Sequence, residues 1–226
     1  MNKIYQMLKL QQELNDNTNG VGWENGVTQN GKPINWRRCT FLECAELIES
    51  YPWKHWKNID AEADFDNIKI EAVDIWHFIM SLALEEYKVN SLGDIDILSS
   101  NIENLSNYSK FLNEVEETGR DYYQQIEIVE NLIARLFDNS KIEILIKAFF
   151  DVAMQSKLNL DSLYNLYIGK NILNKFRQDN GYKDGSYIKI WNGREDNEVM
   201  QEILESDTNI TPDNLYNNLL KEYKRL

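Results

Sequence analysis

The chain has 226 residues, and its 24 lysines and arginines against 37 aspartates and glutamates give a formal net charge of −13. This charge opposes nonspecific binding to nucleic acid or acidic lipid, and the length allows one substantial domain with a buried core. Two cysteines are too few for a disulfide framework, and the sequence has neither a signal-like N-terminus nor an apolar run that could cross a membrane. We therefore expect a soluble, cytoplasmic protein that binds neither nucleic acid nor membrane.

Long helices dominate the predicted secondary structure, because the chain has only three prolines and is rich in Leu, Ile, Glu, Lys and Asn. Apolar periodicity predicts helices at residues 3–15, 38–49, 68–87, about 101–116, 124–138, 141–156 and 160–180. A connection rich in glycine and asparagine follows the first helix, and loops of that length are usually functional or disordered. We expect an all-α, multi-helix bundle with a central buried helix, as a single domain over residues 1–226 with a smaller, variable helical lobe at about 89–140.

The helix predicted at 38–49 carries paired acidic residues. Glu43 and Glu46 are three residues apart, which places both on one face of the helix. Glu49 has the same spacing from Glu46, so the frame of the pair is ambiguous by one turn. Taken alone, an ordinary amphipathic helix with a solvated acidic face explains this segment equally well.

The helix predicted at 68–87 is apolar nearly all round its axis, which is typical of a buried central helix. Glu71 and Asp74, again three residues apart, therefore have little water to face. Buried unpaired carboxylates cost on the order of several kcal/mol each, so they protonate, pair with a cation or coordinate a metal ion. Acids from two facing helices would form an oxygen-rich site for Mg²⁺. Salt bridges to lysine or arginine from elsewhere are the alternative.

A di-iron carboxylate centre is the competing metal interpretation. That centre needs a Glu-x-x-His motif on each of two helices. The chain has only two histidines, and Pro52 three residues before His55 opposes a helical motif there. Asp74 and His77 have the required interval once, which is not enough. We expect His77 to be a hydrogen-bonded core residue or a partner of a metal ligand.

The two acidic segments, "ECAELIE" at 43–49 and "EAVDIWHF" at 71–78, match an E-x-x-E and E-x-x-D signature. Three further segments occur in the expected order: "LQQELND" at 10–16, "YPWKHWK" at 51–57 and "GKNILNKFRQDNGYKDGSYIKIWNGREDN" at 169–197. Through these motifs the chain resembles the all-α nucleoside triphosphate pyrophosphatases, and in detail their dimeric dUTPase branch. The middle of the chain carries no motif of the family.

The resemblance implies a Mg²⁺-dependent homodimer that hydrolyses dUTP and dUDP to dUMP, with cleavage between the α and β phosphates. It places the metal ligands on Glu43, Glu46, Glu71 and Asp74, and the "ECAE" segment favours this frame over one that includes Glu49. Metal ions would neutralise phosphate charge and activate a bound water. Glu43 or Glu46 would accept the proton of that water as the catalytic base, and the choice between the two stays open.

Other segments supply groups that a nucleotide needs. Gln11 and Asn15, four residues apart, put two amides on an apolar helix face, and an amide offers both a donor and an acceptor to the uracil edge. Gln12 could replace Gln11, and Asn15 could simply close the helix. Trp53 could stack on the base together with Trp56, although tryptophan is more often a core residue.

The most cationic stretch of the chain lies near its C-terminus. Lys170, Asn174 and Arg177 recur on one helical stripe, and a glycine turn with further lysines and tyrosines follows. This stretch is suited to phosphate oxygens, and a solvated charged face is the alternative. The predicted substrate-binding residues of this segment are Lys170, Asn174, Arg177, Tyr182, Lys183, Tyr187 and Lys189.

Two other functions remain open at this point. The same chemistry could act on another nucleoside triphosphate, in which case Gln11, Asn15 and Asn174 would read a different base. Alternatively, the chain could be a noncatalytic helical interaction protein whose acids only form salt bridges. The sequence lacks a GxxxxGK[ST] motif, which disfavours Walker-type phosphate binding.

Overall fold

The computed structural model describes residues 2–57, 61–113, 119–138, 140–207 and 210–225. The fold is all-α, as predicted, with one short hairpin. The helices are α1 (Lys3–Asn19), α2 (Trp36–Glu49), α3 (Phe65–Val89), α4 (Ile95–Glu103), α5 (Tyr108–Phe111), α6 (Tyr122–Phe137), α7 (Ile142–Gln155), α8 (Leu160–Asp179), α9 (Asp196–Ser206) and α10 (Pro212–Tyr223). The antiparallel strands are β1 (Ile190–Trp191) and β2 (Arg194–Glu195). Among the described helices, none combines the length and the apolar character that a membrane span requires.

The chain divides into two compact units, Met1–Leu163 and Tyr164–Leu226. In the first unit α3 is the central helix, since it contacts α1, α2, α4 and α7 and is buried along most of its length. Asp64 is the N-cap of this helix, and its side chain accepts a hydrogen bond from the backbone N–H of Asn67. The predicted central buried helix is therefore confirmed. A single domain over the whole chain stays a prediction.

The prediction of a single helix at about 101–116 is wrong. Asp94 caps a helix that begins earlier, by accepting from the backbone N–H of Ile97, and α4 ends at Glu103. The short α5 follows, and residues 114–118 lie outside the described part of the chain. Ile95, Leu98 and Ile102 lie three and four residues apart, so the apolar period and the Asp94 cap made the start of α4 detectable in the sequence.

The connection predicted between the first two helices is shorter than expected and is structured. Helix α1 continues to Asn19, and a 3₁₀ turn follows at Trp23–Asn25. The indole of Trp23 is fully buried and meets Trp36 edge to face, with ring centroids 5.5 Å apart. This contact secures the connection to the start of α2.

The second unit contains a hairpin and two helices that the sequence interpretation missed. An Asn-Gly pair at 192–193 adopts left-handed backbone angles, φ 51° and 86°, which is the usual chemistry of a tight hairpin turn. Thr211 caps α10, and Pro212 occupies its first position. Phe176 on α8 contacts the rings of Tyr187, Trp191 and Tyr223, which form the aromatic core of this unit.

Candidate active site

Packing of α2 against α3 brings the Glu43 and Glu46 pair beside Glu71. Asp74 is half-buried and lies outside this close group, although its charge acts on Glu43. Glu43, Glu46 and Glu71 each place a carboxylate oxygen within 4.8 Å of the others. Glu71 is buried with 7% exposure, Glu43 is half-buried and Glu46 is exposed. Carboxylate oxygens at this spacing suit a hard divalent cation. Because the group extends from the buried Glu71 to the exposed Glu46, such a cation could keep some of its water ligands.

The electrostatics of this acidic cluster are unfavourable when it contains no cation. Burial, followed by the negative charges of Asp74, Glu71 and Glu46, raises the pKa of Glu43 to about 8. The side chain of Glu43 is hydrogen-bonded to Glu71. Within the described residues, neither Glu43 nor Glu46 forms an ion pair with lysine or arginine. A divalent cation would satisfy these carboxylates in their charged form.

A cavity of about 700 Å³ adjoins the acidic cluster, and its lining includes Glu46, Glu71, Lys54 and Lys57. This volume falls within the usual range of small-molecule sites. Carboxylates suited to a metal ion and two lysines therefore share one cavity, a combination that can hold an anionic ligand through both a metal and ammonium groups.

Glu49, the alternative member of the α2 pair, has a different environment. Its carboxylate forms an ion pair with Lys54, and half of its side chain is exposed. The Lys54 ammonium also lies 5.6 Å from the ring centroid of Trp53, and Trp53 meets Trp56 edge to face. Trp53 is half-buried and Trp56 is exposed. Glu49 thus lines the cavity beside Lys54, whereas Trp53 contacts Lys54 without lining the cavity.

Helix α1 presents the two predicted amides to α3. Gln11 and Asn15 are 3% and 4% exposed, and both donate to the hydroxyl of Ser81. Gln11 also contacts His77, with 2.7 Å between its Oε1 and the ring Nδ1. The amide of Gln12 instead donates to the carboxylates of Asp16 on α1 and Glu24 in the 3₁₀ turn.

One of the alternatives for α1 is therefore wrong. Asn15 does not close the helix, because α1 runs on to Asn19. Gln11 rather than Gln12 contacts α3, and the choice between them as the residue that reads the base stays a prediction. His77 is a buried, hydrogen-bonded residue of the core, as expected.

In the second unit, Arg177 is held by an acid that the sequence interpretation did not single out. Asp196 is fully buried, and its two oxygens accept from the Arg177 guanidinium, both at 2.8 Å. The hydroxyl of Tyr187 donates to the same carboxylate at 2.7 Å. Burial raises the pKa of Asp196, but the hydrogen bonds and charge of Arg177 outweigh it and hold the pKa below its usual value.

The remaining predicted residues of the second unit fall into two groups. Asn174 accepts from Arg177 at 3.2 Å, and the buried Lys170 donates to Asn197 at 3.0 Å, so both lie in the same polar cluster. The other three residues are exposed: Tyr182, Lys183 and Lys189. Among the latter, Lys189 forms an ion pair with Glu195. The structure thus gathers Lys170, Asn174, Arg177 and Tyr187 around Asp196.

The all-α fold and the acidic cluster define a helical protein whose chemistry can rest on a bound divalent cation. A family model described as dUTPase matches residues 3–182, most of the chain, and the chain therefore belongs to the all-α dUTPase family. This family consists of dUTP diphosphatases, so the protein is a hydrolase. No curated protein matches the chain. Asp196 lies beyond the residues that the family model covers.

Proposed function

We propose that the protein is a cytoplasmic, homodimeric, Mg²⁺-dependent diphosphatase that converts dUTP and dUDP to dUMP. The acidic cluster of α2 and α3 carries this proposal, because its carboxylates lie within 4.8 Å of one another beside a cavity with two lysines. Glu43, Glu46, Glu71 and Asp74 would hold the metal. Bound Mg²⁺ supplies charge neutralisation at the phosphates and a water of lowered pKa.

The residues of α2 position and deprotonate the attacking water in this scheme. Glu43 or Glu46 accepts its proton, and both lie beside Glu71. Glu46 also lines the cavity, whereas Glu43 is the more buried of the two. The pH dependence of turnover in Glu43→Gln and Glu46→Gln identifies the base. The variant that lacks the base should lose the rise of activity with pH that comes from its deprotonation, and the other variant should keep it.

Binding groups for the two ends of the nucleotide follow from their chemistry. Lys54 and Lys57 line the cavity and can neutralise phosphate oxygens. Gln11 and Asn15 supply donors and acceptors for the base, and Trp53 offers a ring for stacking. In the second unit we propose Lys170, Asn174, Arg177, Tyr182, Lys183, Tyr187 and Lys189 as further substrate-binding residues.

Dimerisation through α2 and α6 is consistent with their exposed apolar side chains. Leu42 on α2 is 51% exposed and Phe137 on α6 is 63% exposed. The two helices pack against each other, and the ring of Phe137 contacts Phe41. Light scattering of wild type and Phe137→Ser tests this part, because loss of a dimer contact lowers the measured mass.

Pyrophosphate release from dUTP is the direct test of the proposed function. It should be measured beside dCTP, dTTP and UTP, with Mg²⁺ and with a chelator, for wild type and Glu46→Gln. We expect turnover of dUTP and phosphate release from dUDP by the metal-loaded wild type, no turnover with the chelator, and strongly reduced turnover by Glu46→Gln. Failure of the metal-loaded wild type to hydrolyse dUTP would contradict the proposal, and preference for another triphosphate would change its substrate.

A further inference from the structure

Ser81 on α3 lies at the centre of the buried polar contact between α1 and α3. Its side chain is fully buried. Its oxygen lies 3.0 Å from Nε2 of Gln11, 2.9 Å from Nδ2 of Asn15 and 2.9 Å from the backbone oxygen of His77. One hydroxyl thus links both amides of α1 to the backbone of α3.

The hydrogen-bonding capacity of this hydroxyl is fully used. A serine hydroxyl has one proton to donate and two lone pairs to accept with. The proton goes to the carbonyl oxygen of His77, because that oxygen can only accept. The two lone pairs therefore face Gln11 and Asn15, and each amide must present its NH₂ group to Ser81.

This requirement fixes the orientation of both amides. Rotation of either amide by half a turn would place its carbonyl oxygen against a hydroxyl oxygen with no proton left, in a buried site. The Oε1 atom of Gln11 then faces Nδ1 of His77 at 2.7 Å, so this ring nitrogen carries the proton. Gln11 in turn donates to Oδ1 of Asn15 at 3.3 Å, which agrees with the same orientation.

We propose that Ser81 is a positioning residue that sets nucleobase specificity by fixing the donor and acceptor pattern of Gln11 and Asn15. This inference rests on the proposed function, in which these amides read the base. Uracil and cytosine exchange a donor and an acceptor at N3 and at the adjacent exocyclic position. A freely rotating amide can bond to either base, whereas an amide of fixed orientation accepts only one.

The chain contains a matched control for Ser81. Ser99 on α4 is 1% exposed, and its hydroxyl also accepts from an asparagine amide near α1, that of Asn2, at 3.0 Å. Ser99→Ala therefore removes a buried hydroxyl and an amide partner without affecting Gln11 or Asn15. Ser81→Ala removes the acceptor of Gln11 and Asn15, whereas Ser99→Ala removes the acceptor of Asn2.

The experiment measures kcat/KM for dUTP and for dCTP in wild type, Ser81→Ala and Ser99→Ala with saturating Mg²⁺. We expect Ser81→Ala to reduce the preference for dUTP over dCTP by about tenfold or more, mainly through a higher KM for dUTP. Ser99→Ala should leave this preference within about twofold, since Asn2, the amide that Ser99 holds, is not one of the two amides proposed to read the base. Ser81→Cys keeps a side chain of similar shape but accepts hydrogen bonds only weakly, so it should also reduce the preference for dUTP. This variant replaces Ser81→Ala in the experiment if the alanine variant does not fold.

Two outcomes would overturn the inference, and they are distinguishable. An unchanged preference in folded Ser81→Ala or Ser81→Cys, with only a stability loss like that of Ser99→Ala, assigns Ser81 a structural role alone. Absence of dUTP turnover in the metal-loaded wild type contradicts the proposed function itself, and the inference fails with it.

Discussion

The protein contains two buried carboxylate regions that differ in what neutralises them. In the acidic cluster between α2 and α3, burial and then the neighbouring acids raise the pKa of Glu43 to about 8. In the second unit, Arg177 contacts both oxygens of Asp196, and the pKa of that acid falls below its usual value. The comparison shows that burial alone does not identify a metal site. In the described part of the chain, Arg177 pairs with Asp196, whereas neither Glu43 nor Glu46 forms an ion pair with lysine or arginine.

Loss of one carboxylate from the acidic cluster should have the largest effect. We expect Glu46→Gln to lower kcat/KM for dUTP by roughly 10²–10⁴-fold, because the cluster loses a metal ligand or the catalytic base. Glu13→Gln on the exposed side of α1 is the control. Steady-state kinetics with Mg²⁺ checks this, and equal activity of the two variants would remove the catalytic distinction between the cluster and a surface acid.

Breaking the Asp196 pair should instead destabilise the fold. Asp196→Asn leaves the Arg177 guanidinium without its buried counterion, and removing one partner of such a pair typically costs about 3–5 kcal/mol. Denaturant unfolding measures the change. Glu195→Gln, which breaks the more exposed pair with Lys189, provides the comparison, with an expected cost of about 0–1 kcal/mol. Similar losses for both variants would mean that the buried pair has no special role.

Added Mg²⁺ should separate the two regions by their response to a ligand. At about 100 times its dissociation constant, Mg²⁺ should raise the free energy of unfolding of wild type by about 2.7 kcal/mol. Asp196→Asn should keep this increment, and Glu71→Gln should lose it. Chemical denaturation with and without Mg²⁺ provides the measurement. A full increment in Glu71→Gln would exclude Glu71 from the metal ligands.

The two regions should also respond to pH with opposite sign in metal-free buffer. The pKa of Glu43 rises from about 4.5 in the unfolded chain to about 8 in the fold, so the fold binds more protons between these values and loses stability as pH rises. We expect a loss on the order of 1–2 kcal/mol, since partial exposure screens the repulsion, and Glu43→Gln should abolish it.

Asp196 shows the converse linkage. Its pKa is lower in the fold than in the unfolded chain, so its contribution to stability is present above the ordinary pKa of an aspartate and is lost as pH falls from there through the lower pKa of the fold. Unfolding free energies of wild type and Asp196→Asn should therefore converge at low pH. A difference that stays constant as pH falls would contradict the role of the Asp196 charge.

The sequence predicted the elements whose pattern is local. Glu71 and Asp74 stand out because an all-round apolar helix leaves them little water; Glu71 is buried as this pattern predicts, whereas Asp74 is half-buried. Ser81 and Asp196 were missed because their roles depend on partners up to 70 residues away in sequence, which no helical period reveals. The hairpin after α8 was detectable in principle, since its Asn-Gly pair is a strong turn signal.

Titration calorimetry with Mg²⁺ tests the central claim that the α2 and α3 carboxylates bind a divalent cation. Wild type, Glu71→Gln and Asp196→Asn should be compared under the same conditions. We expect saturable binding by wild type and Asp196→Asn, and severely weakened binding by Glu71→Gln. Absence of saturable binding by wild type, or undiminished binding by Glu71→Gln, would contradict it.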